Sequence, residues 1–165
     1  MLQKKICILG AFAVGKTSLV ARYVHSMFSE KYLTTVGVKI DKKVVEVGEA
    51  SLTMILWDLH GEDDFQSVRT SYLRGMSGYL LIVDGTRLAT LDTARELHQR
   101  ARDTVGDVPL LCVVNKDDLQ ETWEVTAEDL SDLARDGWDV VQTSAKTGDR
   151  VEATFLNLAK QMLDA

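Results

Sequence analysis

The chain has 165 residues, of which 45% are hydrophobic and 27% are charged. This length and composition are typical of one compact soluble domain, which we assign to residues 1–165. Lys and Arg total 19 against 25 Asp and Glu, so the formal net charge is -6. The acidic balance excludes a protein that holds nucleic acid through a basic surface, and it confines any phosphate chemistry to a local site.

Apolar runs of strand length alternate with stretches of helical spacing along the chain. This alternation predicts an α/β domain with a mostly parallel sheet. The predicted strands are residues 3–9, 38–47, 51–57, 79–84, 109–115 and 139–142. Residues 38–47 mix apolar and charged side chains and turn at Gly48 into the next strand, which indicates an antiparallel hairpin at the sheet's edge. The runs at 79–83 and 110–114 are apolar without alternation, as expected of central strands.

Helical spacing of apolar side chains predicts three amphipathic helices whose stripes face the core. The stripes are Val20, Tyr23, Val24 and Met27; Leu91, Ala94, Leu97, Ala101 and Val105; and Val151, Phe155, Leu158 and Met162. Thr126 is followed three positions later by Asp129, which predicts a capped shorter helix that ends near Gly137.

The cysteines and the termini indicate a cytoplasmic protein. Cys7 and Cys112 lie inside apolar runs, which is typical of buried thiols in a reducing compartment. No apolar stretch approaches the roughly 20 residues of a membrane span. Leu2 stands where myristoylation needs Gly, and the last five residues contain no Cys for prenylation. We therefore expect no lipid anchor in this chain, which is either a trimmed domain or a protein that works without lipid.

A glycine-rich loop follows the first predicted strand. Residues 10–17 are G-A-F-A-V-G-K-T and match G-x-x-x-x-G-K-[ST] in the strand-to-helix context that the motif requires. Glycines let the backbone bend so that successive N–H groups face phosphates. Lys16 supplies charge to the β- and γ-phosphates, and the Thr17 hydroxyl is placed to bind Mg²⁺. The predicted contacts are Ala13, Val14, Gly15, Lys16, Thr17 and Ser18.

Two further loops predict which base is bound. Asn115, Lys116 and Asp118 follow a central strand, at the edge where α/β sheets bind ligands. The Asp118 carboxylate can accept hydrogen bonds from the N1–H and the exocyclic amine of guanine, whereas adenine offers neither donor. After the last strand, Ser144 and Ala145 precede Lys146 in the run T-S-A-K. There the Ala145 N–H can meet the guanine O6, and the Lys146 stem can cover the ring.

Other polar residues predict a response to the γ-phosphate. Asp58 can hold Mg²⁺ through water, and the Gly61 N–H can meet the γ-phosphate. Thr35 offers a second hydroxyl ligand for the metal. Because Thr35 and Gly61 would make contacts only while the γ-phosphate is present, their loops can act as a switch.

With these motifs in place, the sequence resembles a small GTPase of the Ras superfamily and most of all its Rab branch. The Rab-like features are T-V-G-V at 35–38, Trp57 before Asp58, and S-Y-L-R-G at 71–75. The resemblance implies a six-stranded sheet with five helices and binding of GTP and GDP with Mg²⁺. It also implies effector, exchange-factor and GTPase-activating proteins that contact residues 29–38 and 59–75, called switch I and switch II.

The resemblance assigns two further contacts. Phe28 would pack edgewise on the guanine. Of the aromatic triad that Rab effectors touch, Trp57 and Tyr72 match, and the remaining position is Ile40.

The chain departs from the family at the position of the catalytic glutamine, which is Glu62 here. Glu62, Lys16, Thr35 and Gly61 form the expected catalytic set. An ionised carboxylate accepts hydrogen bonds but donates none, and it repels phosphate, so we expect slow hydrolysis. Alternatively, Glu62 is a solvated charge on the loop.

The bulky Phe12 either crowds the attacking water or turns outward. Two other functions stay open. Phe12 and Glu62 favour a GTP-locked binding module that does not hydrolyse its nucleotide. A P-loop ATPase or kinase is the other alternative, and residues 115–118 disfavour it.

Overall fold

The computed structural model of the chain describes residues 2–25, 37–60 and 70–165. Within these ranges it contains six strands and five α-helices. The strands are β1 (Leu2–Gly10), β2 (Gly37–Val47), β3 (Ala50–His60), β4 (Gly78–Asp84), β5 (Leu110–Asn115) and β6 (Val140–Gln142). The helices are α1 (Lys16–His25), α2 (Thr70–Leu73), α3 (Ala89–Val105), α4 (Ala127–Arg135) and α5 (Val151–Asp164), with a 3-10 helix at Asp117–Thr122.

The six strands form one sheet in the order β2-β3-β1-β4-β5-β6. Only β2 and β3 pair antiparallel among these neighbours, with Val47 opposite Ala50 across the turn, so the predicted edge hairpin is confirmed. The other pairs are parallel. β4 is buried along its whole length, as its unbroken apolar run predicts. The carboxyl ends of the parallel strands meet at one edge of the sheet, and the loops that follow them lie together there.

The predicted helical stripes pack on the two faces of the sheet. On one face, the rings of Tyr23 in α1 and Phe155 in α5 stack with their centroids 4.0 Å apart. On the other face, Leu97 and Ala101 of α3 are buried in a second apolar cluster. The stripes are thus confirmed as core, except at Met27, which lies outside the described residues.

The capping box of α4 is present as predicted. The Thr126 hydroxyl accepts a hydrogen bond from the Asp129 N–H at 3.1 Å, and the Asp129 carboxylate accepts one from the Thr126 N–H at 2.8 Å. Satisfying these backbone groups fixes where the helix begins.

Both cysteines are fully buried, as expected. Burial raises the pKa of the Cys7 thiol and of the Cys112 thiol to about 12, so both remain protonated at neutral pH. In the described part of the chain, no helix combines the length and the apolar character needed to cross a bilayer.

Gly85, directly after β4, lies beneath the indole of Trp123. A Cβ at this glycine would lie 2.1 Å from Cη2 of Trp123. The Gly85 carbonyl also accepts hydrogen bonds from the N–H groups of Glu124 and Val125 at 2.8 and 3.1 Å. This close backbone approach ties the segment after the 3-10 helix to the end of the central strand.

We expect Gly85→Ala to destabilise the fold by about 1–3 kcal/mol, because the added methyl group overpacks the contact with Trp123. In the background of Trp123→Ala, the same substitution should cost much less, since the clashing ring is gone. Urea unfolding of the four members of this double-mutant cycle measures the coupling. Additive single effects would show that Trp123 does not exclude a side chain at position 85.

Candidate functional site

The phosphate loop connects β1 to α1 and needs glycine at both ends. A Cβ at Gly10 would lie 2.6 Å from the Ile82 carbonyl oxygen of the neighbouring strand. Gly15 has a φ of +102°, and its Cβ would lie 2.3 Å from Nδ2 of Asn115. Both the backbone conformation and the close approach of neighbouring groups therefore explain the spacing of the motif.

Lys16 folds back over this loop from the first turn of α1. Its Nζ donates hydrogen bonds to the carbonyl oxygens of Gly10 and Ala11, each at 2.9 Å. The residue is only 8% exposed. The loop therefore holds the ammonium group in place beside its own backbone, where it adds a positive charge to the start of a helix.

Thr17 and Asp58 come together although they lie on different elements. The Thr17 hydroxyl donates a hydrogen bond of 2.7 Å to Oδ2 of Asp58, which is fully buried at the end of β3. A hydroxyl and a carboxylate are oxygen donors of the kind that Mg²⁺ prefers, and Mg²⁺ sites use one or two carboxylates with substrate phosphates. The donor set fits the predicted metal.

Asn115 joins the phosphate loop to the loop after β6. Its Nδ2 donates to the Val14 carbonyl at 3.1 Å. Its Oδ1 accepts hydrogen bonds from the Thr143 hydroxyl and the Ala145 N–H, both at 3.1 Å. The residue is 2% exposed, and all of its side-chain contacts connect separate loops. The Ala145 N–H, assigned above to the guanine O6, is directed at Asn115 here.

Asp118 is fixed by the same loop. Its Oδ1 accepts a hydrogen bond of 2.7 Å from the buried Ser144 hydroxyl. The Ser144 hydroxyl in turn accepts one from the Thr147 N–H at 3.1 Å. Lys116, two residues before Asp118, has a φ of +70°, which turns the chain from β5 into the 3-10 helix. The carboxylate is exposed and its rotamer is constrained, as recognition of a ligand edge requires.

Arg22 is a site residue that sequence reasoning missed. From α1, its Nε and Nη2 donate hydrogen bonds to the carbonyl oxygens of Ala145 and Lys146 at 2.9 and 2.5 Å. The helix that begins at the phosphate loop thus also positions the predicted base-binding loop. The partners lie more than 120 residues apart in sequence, and no local pattern marks the pair.

Asp84 is a second missed residue, and it lies fully buried at the end of β4. Its Oδ1 accepts hydrogen bonds from the N–H and the hydroxyl of Thr86, and its Oδ2 accepts them from Lys116 Nζ at 2.6 Å and Arg87 Nε at 2.9 Å. Burial alone would raise the pKa of Asp84, but the hydrogen bonds from Lys116, Thr86 and Arg87 outweigh it and hold the pKa below its usual value. The carboxylate is therefore ionised at neutral pH.

Lys116 also reaches the phosphate loop, where Nζ donates to the Ala13 carbonyl at 3.0 Å. Lys116, which the sequence predicts to help select the base, therefore also contacts the loop that is predicted to bind the phosphates. A carboxylate that directly follows an apolar strand at the ligand-binding edge of the sheet was the sequence signal that could have identified Asp84.

Several predicted site residues lie outside the described residues. These are Phe28, Thr35, Gly61 and Glu62, together with most of switch I and switch II. Phe12 is described and is 53% exposed, which favours the alternative in which its ring turns outward.

The residues predicted to meet effectors are brought together. The rings of Trp57 and Tyr72 lie 6.4 Å apart, and the Lys5 ammonium lies 3.7 Å from the centre of the Trp57 ring. Ile40 is directly opposite Trp57 in the β2–β3 pair and is exposed. Ile40, Trp57 and Tyr72 therefore form a mixed apolar and aromatic patch.

An α/β sheet whose first strand leads through such a loop into a helix, with Thr17, Asp58 and Asn115 converging on it, defines a P-loop GTPase fold. The chain belongs to the Ras family, whose model matches residues 5–164. It is a Rab-like small GTPase that binds GTP and GDP, and its family works through regulator and effector proteins.

Similar proteins carry Rab-related names. Ras-related protein SEC4 of Saccharomyces cerevisiae is 34% identical over 158 residues, covering 94% of this chain and 73% of that protein. Ras-related protein Rab-1 of Theileria parva is 30% identical over 163 residues, covering 97% and 74%. Ras-related protein Rab-26 of Bos taurus is 34% identical over 164 residues, covering 96% and 63%.

Proposed function

We propose that residues 1–165 form a single-domain guanine-nucleotide switch that binds Mg²⁺ and hydrolyses GTP slowly in the cytoplasm. The observation that supports this most is the 3.1 Å hydrogen bond from Asn115 Nδ2 to the Val14 carbonyl. It joins the loop expected to select the base to the loop expected to hold the phosphates, so one ligand can occupy both. The exposed Asp118 carboxylate and the buried Lys16 lie on these two loops.

Different residues would bind the base and the phosphates of the nucleotide. Asp118, held by Ser144, would accept the two donors of guanine, while Asn115 and Arg22 keep the neighbouring loops in register. Lys16 would bind the β- and γ-phosphates. The Lys146 stem would cover the base, with Phe28 against its edge.

Thr17 and Asp58, together with Thr35, would hold the metal. Mg²⁺, when bound, neutralises charge on the phosphate oxygens. Thr17 and Asp58 are already joined by a 2.7 Å hydrogen bond, which supports a preformed part of this site. Thr35 and Gly61 would complete the site only when the γ-phosphate is present, and this dependence would make switch I and switch II respond to the nucleotide.

Hydrolysis would proceed by in-line attack of water on the γ-phosphate. Glu62 replaces the glutamine that orients this water in the family. A carboxylate about 5 Å from the γ-phosphate, at an effective dielectric of about 20, costs about 3 kcal/mol per unit of opposing charge. We therefore expect an intrinsic rate at or below ~10⁻⁴ s⁻¹, the order of an unassisted Ras-type site.

Glu62→Gln should raise the single-turnover rate of GTP hydrolysis by about 10- to 100-fold, since it removes most of this repulsion. Phosphate release from preloaded protein measures the rate, and Glu128→Gln in the first turn of α4 is the matched control, with no expected change. A slower Glu62→Gln variant would make Glu62 a working catalytic residue. An unchanged rate would make it a solvated charge without a role in the reaction.

The sequence at two positions favours a second candidate, a GTP-locked binding module that does not hydrolyse its nucleotide. These positions are Phe12, with its bulky side chain in the phosphate loop, and Glu62. The outward exposure of Phe12 removes part of this argument, because a ring turned to solvent leaves the cradle open. Phosphate release with and without candidate activating proteins separates a locked module from a slow switch.

The surface formed by Ile40, Trp57 and Tyr72 is the proposed effector contact. Tyr72 belongs to switch II, and Ile40 follows switch I by two residues in the sequence, so a partner bound here would detect the nucleotide state. Ile40 replaces an aromatic ring of the Rab pattern with a smaller aliphatic side chain. We therefore expect partners that differ from those selected by a complete aromatic triad.

A further inference from the structure

Arg87, in the segment between β4 and α3, connects a buried carboxylate to the phosphate loop. Its Nε donates a 2.9 Å hydrogen bond to Oδ2 of Asp84, and its Nη2 donates a 2.6 Å hydrogen bond to the Phe12 carbonyl. The two donors belong to one planar guanidinium group, whose fixed geometry sets the distance between the two acceptors. The Phe12 carbonyl is therefore held at a set place relative to the end of β4.

The next carbonyl of the loop, that of Ala13, is restrained by a second cation that also binds the Asp84 carboxylate. Lys116 Nζ lies 2.6 Å from Oδ2 of Asp84 and 3.0 Å from the Ala13 carbonyl oxygen. Thr86 occupies Oδ1 of Asp84 with its N–H at 2.9 Å and its hydroxyl at 2.6 Å. Asp84 thus anchors two cations that restrain two consecutive peptide groups.

Restraining a carbonyl also restrains the N–H on the other side of the same peptide bond. The peptide unit is planar and trans, so the C=O of one residue and the N–H of the next point in opposite directions. With the Phe12 carbonyl directed at Arg87, the Ala13 N–H is directed away from Arg87. Ala13 has a φ of +61°, which an alanine adopts only when its surroundings impose it.

We propose that Arg87 is a positioning residue for the phosphate-binding loop, acting through the Phe12 carbonyl to orient the Ala13 N–H toward a bound diphosphate. This inference rests on the proposed function and adds a residue to it. Arg87 acts on the phosphate side of the site and leaves the base side, at Asp118 and Ser144, unaffected. Loss of the Arg87 side chain should therefore weaken the binding of GDP and of IDP by the same factor, because both ligands carry the same diphosphate.

The test measures release of a fluorescent GDP analogue and of IDP from three variants. Arg87→Ala should release both nucleotides about 10-fold faster, because the charge-assisted hydrogen bond that restrains the Phe12 carbonyl is lost. Arg87→Lys should release them at an intermediate rate, since one ammonium group cannot reproduce the two-pronged contact. Arg95→Ala is the matched control: Arg95 is 40% exposed against 45% for Arg87 and forms its ion pair with Asp136 at the surface.

The unfolding midpoint of the nucleotide-stripped variants separates positioning from support of the fold. Faster release with an unchanged ratio of GDP to IDP rates supports the inference. A lower unfolding midpoint with unchanged release rates would mean that Arg87 only stabilises the fold, and this result would overturn the inference. If wild-type protein takes up neither nucleotide, the proposed function fails first, and the inference fails with it.

Discussion

Asp118→Asn is expected to lower the affinity for GDP by about 10³- to 10⁴-fold. A binding site whose acceptors match the donors of its ligand loses about this much affinity when one donor is left without an acceptor. In the proposed site, the carboxylate would accept hydrogen bonds from both the N1–H and the 2-amino group of guanine. An asparagine amide presents one acceptor and one donor, so its NH₂ group would face a donor of the base. Ser144 holds the Oδ1 of Asp118 at 2.7 Å and limits how far the new side chain could turn to avoid this.

Calorimetric titration with GDP and with xanthosine diphosphate measures the change. Xanthine has a carbonyl oxygen where guanine has the 2-amino group, so the amide introduced at position 118 would match it, and the preference between the two ligands should reverse. Asp117→Asn is the control, since Asp117 Oδ1 already accepts from Gln120 Nε2 at 2.7 Å within the 3-10 helix. Equal GDP affinity for Asp118→Asn and wild type would remove Asp118 from the site.

Lys16→Ala is expected to lower the affinity for every nucleoside diphosphate by about 10- to 100-fold, since the charge-assisted contact of about 1.5–3 kcal/mol with the β-phosphate is lost. The ratio of GDP to xanthosine diphosphate affinities should stay as in wild type. Lys16 lies on the phosphate side of the site, with Nζ at 2.9 Å from two carbonyl oxygens of the loop. The two substitutions thus separate base selection from phosphate binding.

Lys160→Ala serves as the control for Lys16→Ala, because Lys160 is exposed on α5. Urea unfolding of the stripped proteins should show a loss of about 1–3 kcal/mol for Lys16→Ala, from its two hydrogen bonds to the loop at about 0.5–1.5 kcal/mol each. If Lys16→Ala keeps the wild-type affinity for GDP, or changes the preference between GDP and xanthosine diphosphate, the role assigned to Lys16 is contradicted.

The sheet could be predicted from the sequence because its strands differ in pattern. The unbroken apolar runs of β4 and β5 match strands covered on both faces, and the mixed charges of β2 match an edge strand. The helix Thr70–Leu73 and the 3-10 helix Asp117–Thr122 were not predicted, since elements of four to six residues are too short to show a periodic stripe.

The candidate site could be predicted only where a loop carries its own signature. Lys16, Thr17 and Asn115 stand in motifs whose chemistry follows from residue type and position after a strand. Arg22 and Arg87 were missed because each contacts backbone carbonyls of a loop distant in sequence, and only the folded sheet brings them together. Such contacts depend on backbone position, so the residue types at the acceptor positions give no signal.

We propose that the loop at residues 10–17 and the carboxylate of Asp118 together form a pocket for a guanine nucleotide. Calorimetry on nucleotide-stripped protein, titrated in parallel with GDP and ADP in the presence of Mg²⁺, tests it most directly. GDP should bind at least about 1,000-fold more tightly than ADP. Equal affinities for the two ligands, or no heat of binding with GDP, would contradict the claim.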